Sequence, residues 1–360
     1  MKKKFKFINP LINTLKPYVP GEQSLDSSTL KLNTNENPFS PSPKVKEAIQ
    51  KCLLKKATLL RLYPEPESDS LKKALAKYFK LRKNSIFIGN GSDEVLAFCF
   101  MSFFAGRGVL SMPDITYSFY PSLAKLFGVS VETFPLAHNF EIDLSQIPKA
   151  SNSIVIPNPN AITGLMIDKK KLIKYVLNNP NKLFLIDEAY VDFGSYSCIP
   201  LIRDRICENL IVVQTFSKSR SLAGLRLGFC VGSEELISAL TDAKNSFNSY
   251  PVDRLACSAG VAALGDREWF KSSREQIISN RSFLTEEFTR IGFRVIPSKG
   301  NFLLISHRKA NAVNLFEYLM RKKVLVRYFK HGRLRNWLRI SIGSLESCKK
   351  VLSLLKDKLC

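Results

Sequence analysis

Four short polar segments hold the residue types that could do chemistry, and each follows an apolar run. Gly89-Asn90-Gly91-Ser92-Asp93 follows Ile86 to Ile88, and Pro157-Asn158-Pro159-Asn160 follows Ile154 to Ile156. Asp187-Glu188-Ala189-Tyr190 follows Leu183 to Ile186, and Gln214-Thr215-Phe216-Ser217-Lys218 follows Leu210 to Val213. Short continuous apolar runs suit strands buried on both faces of a parallel sheet. Open α/β sheets bind ligands beyond the carboxyl ends of their strands. One end of the sheet would then gather a glycine turn opening a helix, asparagines, an acid with a tyrosine, and a lysine with hydroxyls. Those parts suit one anionic, heteroaromatic, carbonyl-bearing ligand.

Pyridoxal phosphate chemistry needs this set. A lysine amine joins the aldehyde as a Schiff base, and an acid beside the pyridine nitrogen keeps it protonated, so the ring accepts electrons from a carbanion. The phosphate needs a helix N-terminus, hydroxyls and an arginine. Gly91-Ser92, Ser217 and Arg226 supply them in turn. Asp93 and Glu94 suit the helix dipole but repel a phosphate, so their side chains are expected to point away. Gly89-x-Gly91 lacks the third glycine of a dinucleotide fingerprint.

The segment Thr215-Phe216-Ser217-Lys218 with Leu222-Ala223-Gly224-Leu225-Arg226-Leu227-Gly228 resembles the lysine motif of fold-type I aminotransferases. It is most similar to the histidinol-phosphate aminotransferase branch. Lys16-Pro17-Tyr18-Val19-Pro20-Gly21, Leu32-Asn33-Thr34-Asn35-Glu36-Asn37-Pro38, Arg61-Leu62-Tyr63-Pro64 and Thr116-Tyr117-Ser118 resemble further motifs of that branch in family order. So do Asp187 to Tyr190, Phe247 to Pro251 and Leu338-Arg339-Ile340-Ser341-Ile342-Gly343, so the match spans nearly the whole chain.

The resemblance implies pyridoxal 5'-phosphate held by Lys218, which also moves the proton between substrate and cofactor. Asp187 would pair with the pyridinium, Tyr190 would bond the ring oxygen and Tyr117 would stack on the ring. The backbone at Ser92 and Asp93, with Ser217 and Arg226, would hold the phosphate, with Tyr63 reaching it from the second subunit of a homodimer. Arg327 and Arg339 would grip the anion of either substrate, a phosphorylated amine or 2-oxoglutarate and glutamate, and Tyr18 would close over it. One segment departs from the pattern. Many relatives read Asn-Pro-Asn-Asn-Pro-Thr-Gly where this chain has Asn158-Pro159-Asn160-Ala161-Ile162-Thr163-Gly164. Either Asn160 reaches the cofactor oxygen in place of the missing amide, or Tyr190 carries that contact alone. Arg220 either adds positive potential near the phosphate or faces solvent, and solvent is the expectation.

These residues need elements to position them. The 360 residues exceed the usual single-domain size and allow a large core. Apolar runs alternate with amphipathic segments such as Asp93 to Phe104 and Asp168 to Leu177, an α/β pattern with a mostly parallel sheet covered by helices. A helix is expected around Lys44 to Lys56. From Pro251 a long helical stretch leads to strands near Phe302 to Ser306, Val324 to Tyr328 and Leu338 to Ile342. The expected division is an extended N-terminal arm (1–32) joining a small domain, a large cofactor domain (33–246), and a linking helix with a smaller α/β domain (247–360).

Hydrophobic residues at 45% and charged residues at 24% exclude disordered and collagen-like classes. The most apolar stretch, Val95 to Phe104, falls short of the roughly 18 residues a membrane span needs. Lys2 to Lys4 precede no unbroken apolar stretch, so no signal peptide is expected. Eight scattered cysteines without a C-x-x-C pair, and three histidines (His138, His307, His331), suggest reduced thiols in a cytoplasm and no metal site. The net charge of +23 is dispersed in small clusters, as on a solvated, lysine-rich surface that draws in anionic substrates. Three other functions stay open: a threonine-phosphate decarboxylase, an aromatic amino-acid aminotransferase, and a basic nucleic-acid-binding protein on an inactive scaffold.

Overall fold

The computed structural model describes residues 6–330 and 332–359, so Lys2 to Lys4, His331 and Cys360 lie outside it. The N-terminal arm carries a short helix, Pro10–Thr14, capped by the Asn9 side chain, and otherwise runs without regular structure to β1 (Leu30–Leu32). Seven strands follow: β2 (Ile86–Asn90), β3 (Val109–Pro113), β4 (Ser130–Phe134), β5 (Ser153–Pro157), β6 (Leu183–Asp187), β7 (Leu210–Thr215) and β8 (Leu227–Val231). They form one sheet in the order β2-β8-β7-β6-β5-β3-β4. Only β8 runs against its neighbours.

Both faces of this sheet are covered, as the unbroken apolar runs require. Ile154, Ile156, Phe184, Ile186, Leu210 and Val212 face one core with Leu172 and Val176 of the helix Lys169–Leu177. The alternating residues Val155, Leu185, Ile211 and Val213 face the other, with Val95, Leu96 and Phe98 of the helix Gly91–Cys99. Leu185 is fully buried, so its truncation to alanine costs about 2–5 kcal/mol. Asp168 caps the helix Lys169–Leu177, as its position predicts. The expected helix Asp93 to Phe104 begins earlier, at Gly91, and ends in a wider turn at Phe100–Phe104. Three strands lie beyond the four runs named from sequence. One of them, β4, is an edge strand whose first four residues are exposed, so it shows no continuous apolar run.

The last third builds β9 (Phe293–Ile296), β10 (Phe302–His307), β11 (Val324–Tyr328) and β12 (Leu338–Ser341). With β1 they make a second sheet in the order β1-β11-β12-β10-β9. Leu32 of the arm sits opposite Val326, so a contact across nearly the whole chain closes this sheet. The helices Arg267–Arg290, Ala312–Arg321 and Leu345–Leu359 pack on it through Ile277, Leu315 and Val351. Among the described residues no helix is long and apolar enough to cross a membrane.

Candidate active site

A cavity of about 590 Å³ opens at the carboxyl ends of β6 and β7, beneath β11, β12 and the N-terminal arm. It brings together every residue assigned above to the cofactor or the substrate except Asn160 and Tyr63.

Asp187 ends β6 and Lys218 follows β7, its parallel neighbour, so the sheet sets their spacing. The Asp187 carboxylate is buried, accepting from the Tyr120 hydroxyl at 2.6 Å and the Ala189 N–H at 3.0 Å. Burial pushes it up to about 6, against the pull of those two donors. The Lys218 ammonium donates to the Thr34 carbonyl at 3.0 Å. Burial, then the positive Arg339, bring it down to about 8. A proton leaves this amine far more easily than an ordinary lysine, as general acid–base work requires.

Tyr190 is buried, and burial raises its phenol; its oxygen accepts from the Asn35 amide at 3.0 Å. Tyr117 donates to Asp93 at 3.0 Å, and the Tyr18 ring meets it edge-on at 5.8 Å. Burial, then the Asp93 carboxylate, raise the Tyr117 phenol.

The anion cradle lies where the helix Gly91–Cys99 begins. Gly91 has φ +83°, and a Cβ there would run into the Arg226 guanidinium. A Cβ on Gly228 of β8 would strike the Gly91–Ser92 backbone, so the close approach demands glycine. Arg226 itself is left-handed, φ +50°. The expectation for Asp93 needs correction. Its carboxylate does not turn away but accepts from Arg226 at 3.1 Å as well as from Tyr117. The arginine's charge holds it inside the cradle. Glu94 does turn back, capping the Asn90 N–H at 2.5 Å.

Arg327 and Arg339 sit opposite each other on β11 and β12. Arg339 donates to the carbonyls of Ala161 at 2.8 Å and Asn33 at 3.2 Å, while its buried Nε has no partner among the described residues. Burial lowers its pKa, and Arg327 adds to that. Arg327 donates to the Val19 carbonyl at 3.2 Å, tying down the arm that carries Tyr18. A dianion here would meet two guanidinium groups and an unsatisfied donor.

Asn160 does not reach the cavity. Its amide donates to the Ile115 carbonyl at 2.9 Å and accepts from the Ile162 and Thr163 N–H groups, so it is spent on holding its own loop. Ala161 lines the cavity instead. Tyr63 lies away from it, exposed and stacked on Tyr250 at 4.7 Å. Arg220, expected in solvent, is buried: its guanidinium lies 4.0 Å from the Phe270 ring and donates to the Ala263 carbonyl at 2.9 Å. It anchors the segment behind Lys218 to the helices through an aromatic stack.

Sequence reasoning missed Tyr120 and Phe329, and named the segment Asn33 to Glu36 as a motif without giving its residues a role. That segment touches three site residues: Asn33 meets Arg339, Thr34 meets Lys218 and Asn35 meets Tyr190. The signal was present, since Leu30-Lys31-Leu32 is another short strand followed by polar residues.

The residues fit pyridoxal 5'-phosphate: a half-buried amine of lowered pKa, a buried carboxylate, a glycine cradle at a helix N-terminus, and an arginine at that cradle. The chain matches the family model described as aminotransferase class I and II over residues 27–355. This chain belongs to the class I and II aminotransferases. A relative from Clostridium acetobutylicum named histidinol-phosphate aminotransferase is 47% identical over 352 residues, covering 98% of this aminotransferase and 99% of the relative. Another of that name, from Acinetobacter baumannii (strain AYE), is 45% identical over 354 residues and 98% of both chains. The crystal structure of histidinol-phosphate aminotransferase from Sinorhizobium meliloti in complex with pyridoxal-5'-phosphate shares the fold, with a TM-score of 0.87 at 23% identity, covering 99% of this aminotransferase and 98% of that chain. The architecture is thus that of fold-type I aminotransferases.

Proposed function

We infer that this aminotransferase uses pyridoxal 5'-phosphate to transfer the amino group between histidinol phosphate and 2-oxoglutarate, giving imidazole acetol phosphate and glutamate in histidine biosynthesis. The observation that carries this reading is the half-buried Lys218 amine, held at about 8 in the same cavity as the buried Asp187, under an arginine pair. The cofactor, when bound, supplies an electron sink for the carbon that loses its proton. Lys218 holds the cofactor and then takes and returns the proton at the substrate α-carbon, for which it must be neutral and close. Asp187 would keep the ring nitrogen protonated, Tyr190 would bond the ring oxygen and Tyr117 would stack on the ring. Ser92, Ser217 and Arg226 hold the phosphate, and Asp93 orients Arg226.

Arg339 and Arg327 bind the phosphate of one substrate and the carboxylate of the other, so one pocket serves both half-reactions. Tyr18, on the tethered arm, covers that anion and excludes water. The net charge of +23 raises the local concentration of both dianions. Tyr63, exposed and far from its own cavity, serves the phosphate of a second copy in a homodimer. The enzyme works in the cytoplasm.

A single-turnover absorbance assay on the purified holoenzyme tests this reading. Histidinol phosphate should bleach the visible cofactor band, and 2-oxoglutarate should restore it. Carbon dioxide release from threonine phosphate would replace the reading with a decarboxylase. Bleaching by aromatic amino acids alone would replace it with an aromatic aminotransferase. Absence of any band after adding the cofactor, with salt-sensitive binding to DNA or RNA, would mean an inactive scaffold.

A further inference from the structure

Asn35 is buried in a left-handed conformation, φ +56°, which asparagine tolerates better than most residues. Three contacts lock it. Its N–H donates to Ser341 Oγ at 2.9 Å, its carbonyl accepts from Asn301 Nδ2 at 2.9 Å, and its Oδ1 accepts from Ser341 Oγ at 3.0 Å. One polarity satisfies every donor here. Ser341 Oγ accepts from the Asn35 backbone and gives its proton to Asn35 Oδ1, whereas a flipped amide would leave that buried hydroxyl proton without an acceptor among the described residues. That places Asn35 Nδ2 against Tyr190 Oη, 3.0 Å away. An amide nitrogen only donates, so Tyr190 Oη accepts and its own proton is free for the cavity it lines. Ala161 lines the same cavity and offers no side-chain donor.

We propose that Asn35, held by Ser341, is a positioning residue that aims the Tyr190 hydroxyl proton at the cofactor's ring oxygen. This rests on the cofactor reading above. A donor at that oxygen stabilises its anionic form and lowers the pH at which the visible band of the Lys218-linked cofactor changes. Asn35→Asp reverses the relay, because the carboxylate oxygen facing Tyr190 can only accept and draws the phenolic proton away from the cavity.

The experiment is a pH titration of the visible absorbance of the holoenzyme in wild type, Asn35→Asp, Tyr190→Phe, the double variant and Ser341→Ala. Asn35→Asp and Tyr190→Phe should each raise the midpoint by about one pH unit or more. Asn35→Asp should add little once the Tyr190 hydroxyl is gone. Ser341→Ala, a small change outside the cavity, frees the amide to turn over and should raise the midpoint by less. An equal shift from Asn35→Asp with and without that hydroxyl would reveal charge alone and overturn the proposal. So would an unchanged midpoint in Ser341→Ala, which decides the matter even where Asn35→Asp does not fold. A wild-type protein with no visible band would overturn the cofactor reading itself, and this inference with it.

Discussion

The floor of the cavity stands on strand ends of the seven-stranded sheet, whereas its roof is assembled from the N-terminal arm and the five-stranded sheet. Asp187 ends β6 and Lys218 follows β7 by three residues, and Phe184 to Ile186 and Leu210 to Val213 of those strands are fully buried. A close-packed core leaves such positions little room to move. Arg327 is held to the arm by one bond of 3.2 Å to Val19, a residue that is itself exposed. Arg339 hangs between carbonyls from two segments far apart in the chain, Ala161 and Asn33. The proposed proton-transfer group therefore sits where a buried strand end sets its position. The proposed substrate grip sits where long-range contacts set it, so a shift of the arm would alter the grip without disturbing Lys218.

The largest test of that contrast is Lys218→Ala. Turnover should fall by at least about 10²–10⁴-fold, because Lys218 is the group proposed to move the proton. The fold, read by thermal melting of the cofactor-free protein, should persist; near-normal turnover would break the assignment of the floor. Next comes Arg339→Ala, which removes the member of the anion pair whose Nε is buried. It should lower kcat/KM by about 10- to 100-fold for phosphorylated and carboxylate substrates alike. An effect confined to one substrate would mean that the two anions occupy different places. Arg327→Ala, at the more exposed member, should cost only about 2- to 5-fold and less in high salt. If it proved the more damaging of the two, the roof would be as rigid as the floor.

The smallest effect concerns pH. The Lys218 ammonium lies below its ordinary value, so the neutral, reactive amine accumulates as pH rises through about 8. Capture of the cofactor by the cofactor-free protein should accelerate across that range, measured by the growth of the visible band. Arg339→Ala should move the midpoint up, since it removes a positive neighbour that opposes protonation. A midpoint at the ordinary lysine value of about 10.4 would show that burial does not tune the amine.

The pattern of buried strands, and the polar groups at their ends, was legible because both are local. A strand buried on both faces must be apolar throughout, and the residue after it emerges at the sheet's edge whatever lies elsewhere in the chain. Asp187, Ser217 and Lys218 could therefore be read in one dimension. Lines of sequence do not show which partner a side chain will choose. Asn160 spends its amide on Ile115 and its own loop, Asp93 turns toward Arg226, and Arg220 is drawn under Phe270 instead of into water.

The amino-acid sequence alone determined the α/β alternation, the seats of the lysine and the aspartate, and the family to which the chain belongs. Only the tertiary structure decided what closes over them. Asn33, Thr34 and Asn35 reach Arg339, Lys218 and Tyr190 because Leu32 pairs with Val326 across almost the full length of the chain. A pairing of that separation leaves no periodicity in the sequence. It exists only once both sheets have packed and the arm has found its edge.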